Sequence, residues 1–434
     1  MTWTEERLQD ALHASAGRVR DDRLRPLPVL EPRAEPGTGP RAAWRGWLVP
    51  AAAAVGVVLV IGLVMAMTGG PRSASRNGST TASGAPVTAA SVPRYYVAFT
   101  GSIENQSVAV HATATGAVIA TLPGPKIAGG WAIGNALAAA PGDRTFYAEY
   151  QVASGVLGQT WIYRFSILGS GSVTPMTRIK GGVISDATGL GNAADLAVSP
   201  DGRELALIAD STADLSVYTT SYADTIIVIN LETGEHSVWQ GGMARAGKAF
   251  MIANLSWAAD GHSLVFLALW CDGPIGVLGI GTICSGADVS RGYRYTQVWS
   301  LSTATRGGAL NSGELLLTQS ARYPAIAQAL AGPDGSDITA VVMSGRAYAS
   351  GAWQNLAIDH ISAAGGSLLG VDYHRNNVPV AEGVAEEIGL TADPSGRYVL
   401  LTYPGPGENH IGWIGGGKFH PLPFAHYDGA AVAW

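Results

Sequence analysis

Asp195, Asn254 and Gln328 stand at matching places in successive repeats of this sequence. Each comes shortly before a tight-turn signal, at Ser199-Pro200-Asp201-Gly202, Ala259-Asp260-Gly261 and Pro333-Asp334-Gly335. Carboxylate and amide oxygens are hard donors of the kind that hold calcium. Gathered around one axis, these three residues are candidate ligands for a divalent ion. The counterparts in other repeats are small, Ala136, Gly389 and Ala431, and the set holds one carboxylate. Polar groups serving backbone or trapped water is therefore the simpler expectation.

Other chemistry lacks its usual supports. No Gly-x-Ser-x-Gly, His-Glu-x-x-His or phosphate-loop pattern occurs. The chain carries a net charge of -6 with 14% charged residues, so no general basic field draws it to nucleic acid. Basic residues do concentrate locally. The segments 124–135, 178–193, 240–252, 319–327 and 373–387 read as long connections. They hold seven cations, Lys126, Arg178, Lys180, Arg245, Lys248, Arg322 and Arg375, against four acids, Asp186, Glu382, Glu386 and Glu387. If these connections open on one face, that face attracts an anionic ligand, with Trp131, Tyr323 and Tyr373 as flat contact surfaces.

The elements that must position these residues repeat. Five times an apolar run, a Pro/Asp/Gly turn and a second apolar run recur, with inner-strand entries at Ala136, Asp195, Asn254, Gln328 and Gly389. Each unit continues into a hairpin: Thr160–Met176, Thr225–Trp239, Tyr295–Thr318, Leu356–Tyr373 and Gly412–Phe424. Two hairpins make four strands, one propeller blade. Tyr95–Phe99 and the hairpin Ser107–Leu122 supply three strands of a sixth blade, and Ala430–Trp434 supplies its fourth and closes the ring. The expectation is an all-β, six-bladed propeller. Seven blades is the alternative, because 270–294 has room for further strands. Trp239, Trp257 and Trp434, at strand ends, read as core between blades.

The Ser199-Pro200-Asp201-Gly202-Arg203 copy with its apolar flanks resembles the β-propeller repeat of TolB-like and WD-repeat-like proteins, over about 94 to 434. That resemblance implies a blade hairpin and no particular chemistry. In six-bladed lactonase-like enzymes a divalent ion sits in the central channel, which is the setting the three oxygen donors would need.

Trp47 to Met67 is an uncharged run of 21 residues, about 31 Å as a helix and long enough to cross a bilayer core. Eight Arg precede it and Arg72 and Arg76 follow closely, so the N-terminus is expected in the cytoplasm. Residues 1–46 form the tail: Thr2-x-x-Glu5 caps a short helix with Leu8 and Leu12 on one face, before a Pro-rich stretch; a disordered topology signal is the simpler expectation, and a docking helix for a cytoplasmic partner, anchored by Leu8 and Leu12, the sharper one. Residues 68–92 read as a flexible stalk and 93–434 as the propeller ectodomain. Outside the membrane Cys271 and Cys284 are expected to form a disulfide, stabilising by roughly 3 kcal/mol. The order of tail, anchor, stalk and propeller resembles bacterial membrane-bound propeller proteins, some associated with envelope signalling, although the chain has no His-x3-Cys-x2-Cys zinc pattern.

The expectation is a single-pass cell-membrane protein whose extracytoplasmic propeller is a sensing or scaffold module for a protein or an anionic envelope component, with no cofactor. A metal-dependent, lactonase-like hydrolase using calcium is the alternative. A propeller that assists assembly of neighbouring membrane proteins is a third.

Overall fold

The chain reverses where the Pro/Asp/Gly signals predict, and the side chains there show why. Ser199 Oγ accepts the amides of Arg203 at 3.2 Å and Glu204 at 2.9 Å and donates to Asp201 Oδ1 at 2.6 Å, while Gly202 takes φ 71°, a left-handed conformation that suits glycine. In the next copy Asp260 Oδ1 accepts the amides of His262 and Ser263 at 2.8 and 2.9 Å.

The computed structural model describes residues 92–102, 106–128, 130–154, 157–186, 195–209, 225–243, 248–272, 275–278, 281–284, 295–332, 335–345, 353–380, 388–393, 397–404, 409–422 and 431–434. The expected tail, the span 47–67 and nearly all of the stalk lie outside the described residues, as does Arg245. Among the described residues no helix is long and apolar enough to cross a membrane.

Strands β1 (Tyr95–Thr100), β2 (Ser107–Ala112) and β3 (Val118–Pro123) form blade 1. Blade 2 holds β4 (Trp131–Ala139), β5 (Thr145–Ser154), β6 (Leu157–Ser166) and β7 (Thr177–Asp186). Blade 3 holds β8 (Leu196–Val198), β9 (Glu204–Ala209), β10 (Thr225–Asn230) and β11 (His236–Gln240). Blade 4 runs from β12 (Lys248–Trp257) and β13 (Ser263–Asp272), through a separate hairpin of β14 (Ile275–Leu278) and β15 (Gly281–Cys284), to β16 (Tyr295–Ser302) and β17 (Glu314–Thr318). Blade 5 holds β18 (Ala325–Ala331), β19 (Asp337–Ser344), β20 (Trp353–Ser362) and β21 (Leu368–Val380). Blade 6 holds β22 (Gly389–Ala392), β23 (Val399–Pro404), β24 (Asn409–Gly415) and β25 (Lys418–Pro421). Finally β26 (Val432–Ala433) pairs antiparallel with β1, Val97 opposite Ala433, and completes blade 1.

The fold is an all-β, six-bladed propeller closed by the C-terminal strand. The extra strands within 270–294 form the two-stranded insertion of blade 4 and add no seventh blade. Inner strands β26, β4, β8, β12, β18 and β22 touch in that order and back to β26 around the axis. Apolar side chains gather in six clusters among the described residues, one at each blade junction. This placement explains the unbroken apolar runs. In β9 and β10 five of six residues are buried because a neighbouring blade covers each face. Trp239, Trp257 and Trp434 are buried in these junctions, as expected of core residues.

All five stretches read as connections are partly strand: β4 already begins at Trp131 and β18 at Ala325, and the other three hold more of it. After Ser166 the chain makes a turn closed by an Ile167–Val173 bridge, and β7 then runs through 177–186. At the other two, β12 starts at Lys248 and β21 continues to Val380. Their alternation is diluted by Gly181, Gly182 and Asn376–Asn377, which disguises strand continuity.

Candidate functional site

The inner ring is where the three oxygen donors are expected to converge. β12 carries a one-residue bulge: register passes from Ala253 opposite Leu267 to Leu255 opposite Phe266, leaving Asn254 unpaired at φ 54°. Asparagine tolerates this left-handed backbone. Freed from the ladder, Asn254 donates its amide N–H to Asp195 Oδ2 of blade 3, and its own Oδ1 accepts the Ala329 amide of blade 5. Ser256 Oγ accepts the Ala331 amide at 2.9 Å, and Trp257 Nε1 donates to the Ala197 carbonyl at 3.0 Å. Side chains on the inner strands thus satisfy backbone groups of the next or previous blade, and blades 3, 4 and 5 are stitched at the axis.

The bulges correct two alignments, and Gln328, expected at the place of Asn254, does not stand there. In β4 the skipped residue is Asn135, between Gly134 and Ala136, so the counterpart of Asn254 is Asn135 and not Ala136. In β18 the skipped residue is Ala327, with Gln328 next to it and opposite Val341. Close packing at the axis also constrains Gly134: a Cβ there would strike the Phe99 ring of β1, and its amide donates to Gln106 Oε1 at 2.6 Å.

Burial pushes the Asp195 carboxyl up to about 7, against the pull of the Asn254 amide. A carboxyl that loses ionisation near neutral pH, and an amide oxygen already bonded to Ala329, make a poor cradle for calcium. The residues present do not fit a divalent ion: Asp195 Oδ2 and Asn254 Oδ1 are engaged by backbone amides. No group of three His, Cys, Asp or Glu suited to a metal occurs among the described residues.

The expected basic face divides in two. Strand order places the outer-to-inner connections and the ends they join on one face. Lys126 lies there between β3 and β4, and Arg322 between β17 and β18. Lys248 opens β12 on the same face, and Arg375 lies near it, opposite Leu356 on β21. Lys126, Arg322 and Arg375 are exposed. Arg178 and Lys180 go elsewhere. They sit at the start of β7, Arg178 opposite Tyr163 with its guanidinium 5.1 Å from the Trp161 ring centre, and Lys180 against the Gly234 turn of blade 3. They belong to the opposite rim of blade 2.

The two arginines on the first face are held by aromatic rings. The Arg322 guanidinium lies 5.7 Å from the Tyr323 ring centre. That of Arg375 lies 5.4 Å from the Tyr403 ring centre, and its Nη1 donates to the Tyr403 hydroxyl. Tyr323 is not a contact surface as expected: it is buried, and its hydroxyl donates to the Gly366 carbonyl at 2.9 Å. Tyr373 is likewise half-buried, with its ring 5.8 Å from Phe419. Trp131 opens β4, and its side chain, like those of Lys248, Cys271 and Cys284, lies outside the described residues. The backbone puts Cys271 at the end of β13 and Cys284 opposite Ile275, the two cysteines expected to form a disulfide.

One cluster had no signal in the sequence. His360 on β20 lies between Asp337 on β19, 3.1 Å from Nδ1, and Asp372 on β21, 2.5 Å from Nε2. The partners are separated by 23 and 12 positions, and only strand register brings them together.

No family profile and no curated protein matches the sequence. Among solved structures the fold is similar to that of the tricorn protease, at 11% identity and TM-score 0.40, over 76% of this chain and 28% of that one. It is also similar to an oligogalacturonate lyase in complex with manganese, at 12% identity and TM-score 0.37, over 72% and 73% of the two chains. The WD40 domain of Toxoplasma gondii coronin is similar at 10% identity and TM-score 0.32, over 69% and 76%. Likeness at this level concerns the fold alone.

Proposed function

We propose that this chain is a membrane-anchored, extracytoplasmic propeller that binds an anionic partner, an envelope polymer or an acidic protein segment, on the face bearing Lys126, Arg322 and Arg375. The observation that carries this reading is the pair of exposed guanidiniums, Arg322 and Arg375, each held against a tyrosine ring on the same face. A cation already ordered loses less freedom when an anion arrives. The segment 47–67 supplies the anchor in this reading, with the N-terminus in the cytoplasm and the short N-terminal helix free to meet a partner there. In an oxidising compartment Cys271 and Cys284 pair and fasten the base of the β14–β15 hairpin. The hydrolase alternative asks Asp195 and Asn254 to release the backbone amides they now hold.

The propeller closes on itself within 92–434, so that fragment suits the test. Thermal unfolding is followed with teichoic acid, polyphosphate or an anionic glycan, beside the Lys126→Ser/Arg322→Ser/Arg375→Ser variant. A ligand at 100 times its Kd adds about 2.7 kcal/mol. The expected outcome is a salt-sensitive rise in midpoint that the triple variant loses. An equal rise in the variant, or none with any of the three anions, overturns the reading.

A further inference from the structure

We propose that Asp337, His360 and Asp372 form a proton-controlled latch that fastens the outer strand of blade 5.

The geometry requires a particular chemical state. Both ring nitrogens of His360 face carboxylate oxygens, Nδ1 toward Asp337 Oδ2 at 3.1 Å and Nε2 toward Asp372 Oδ2 at 2.5 Å. Neutral imidazole has one N–H, and only the imidazolium can donate in both directions. Asp337 is the partner with more to lose. Its side chain is 16% exposed against 40% for Asp372, and its Oδ1 is buried without a hydrogen-bond partner. A neutral ring that keeps the shorter bond to Asp372 turns a bare Nδ1 lone pair on the Asp337 carboxylate. The hydroxyl of Thr339, 3.4 Å from Nδ1, is the other group at that nitrogen.

Mechanically, the imidazolium bridges β19 and β21 across β20, adding a polar tie to the strand ladders. β21 is the outermost strand of its blade, and the half that holds Asp372 carries the exposed Leu369 and Val371. A tie through His360 reaches inward to a strand covered on both faces. Among the described residues, Asp359, His374, Arg322 and Lys418 carry the other charges near the latch, Arg322 acting on Asp359. Asp359 precedes His360 on β20, His374 follows Asp372 on β21, and from blade 6 the Gly416–Gly417 turn leading into Lys418 approaches the Asp372 backbone. The bond to Asp372 is the largest influence holding the His360 imidazole above its ordinary value, with burial opposing it and Asp337 adding to it. A raised histidine stabilises the fold fully below its unfolded value and loses that contribution as pH rises through the folded value. The latch is therefore closed in mild acid and opens toward alkaline pH.

NMR titration of the His360 ring in the full chain, with hydrogen exchange of the 368–374 amides referenced to β3, tests this. Expected are a titration above about 6.5, the ordinary histidine value, and lowering of that titration in both Asp337→Asn and Asp372→Asn. The 368–374 amides should also quicken relative to β3 above the transition, by about tenfold for each pKa unit of elevation. His360→Gln should abolish the pH dependence of that ratio. Titration at or below the ordinary value, indifference to both Asn variants, or an exchange ratio flat across the transition overturns the latch.

Discussion

Blades 1 and 5 each place a histidine on a strand between two others, and their surroundings are opposite. His111 in blade 1 is buried, its ring stacked on Tyr96 at 4.7 Å and its Nδ1 3.0 Å from the Gly116 carbonyl. Burial pushes its imidazole down, with the Gly116 bond opposing. His360 in blade 5 is half-buried between two carboxylates, and its imidazole is pushed up. One blade is held by apolar packing around a neutral ring, and the other adds charge. The residue type alone therefore says nothing about the sign of its pH response; the partners facing it decide.

The largest expected effect breaks the apolar side of this comparison. Trp434, buried beside β26 where the ring closes, should cost about 3–5 kcal/mol on replacement by Ala. Denaturant unfolding would show it as a fall in midpoint. Next comes the tie into blade 5 at the axis. Asn254→Ala strands the buried Ala329 amide and puts a Cβ-bearing residue with no polar side chain at φ 54°. About 1–3 kcal/mol is expected, in the same assay.

The two histidines should then separate by pH. A histidine lowered by burial leaves the unfolded chain binding more protons, so stability contributed by His111 falls as pH drops below about 6.5. His111→Phe should flatten that acid limb while keeping the ring stack. His360→Gln should instead remove stability present in mild acid, about 1 kcal/mol given its partial exposure, and leave the alkaline side unchanged. Unfolding free energies measured from pH 5 to 9 check both, and equal slopes in the two variants would dissolve the contrast. The smallest effect belongs to the rim: Arg203 faces Asp201 at 3.8 Å with both side chains exposed, and Arg203→Ser should stay within about 0.5 kcal/mol.

How much of this was legible in the sequence follows from how local each signal is. The turn at Ser199–Gly202 and the apolar runs beside it are contiguous, and they led to six blades and to β26 as the closing strand. The bulges were not legible, because one unpaired residue in β4 moves the inner-ring position from Ala136 to Asn135 without changing composition. The basic face failed in part for a similar reason: Arg178 and Lys180 lie in a strand whose glycines blur its alternation. The Asp337–His360–Asp372 cluster had no linear signature at all, since cross-strand register between distant segments assembles it. Tyr323 misled because an aromatic residue beside Arg322 in a connection reads as surface until a neighbouring blade is seen to cover it.

The pairing of Val97 with Ala433 also sets an order of assembly. While blades 2 to 6 are being synthesised, the β1 edge toward the axis has no partner, because β26 follows blade 6 in the chain. Ring closure is thus a contact of very large sequence separation, of the kind that folds slowly. Until then the growing chain offers an open edge on which a strand from another copy could seat. A circular permutant that places β26 directly ahead of β1 would let the first blade mature alone, turning a last-minute clasp into a starting template.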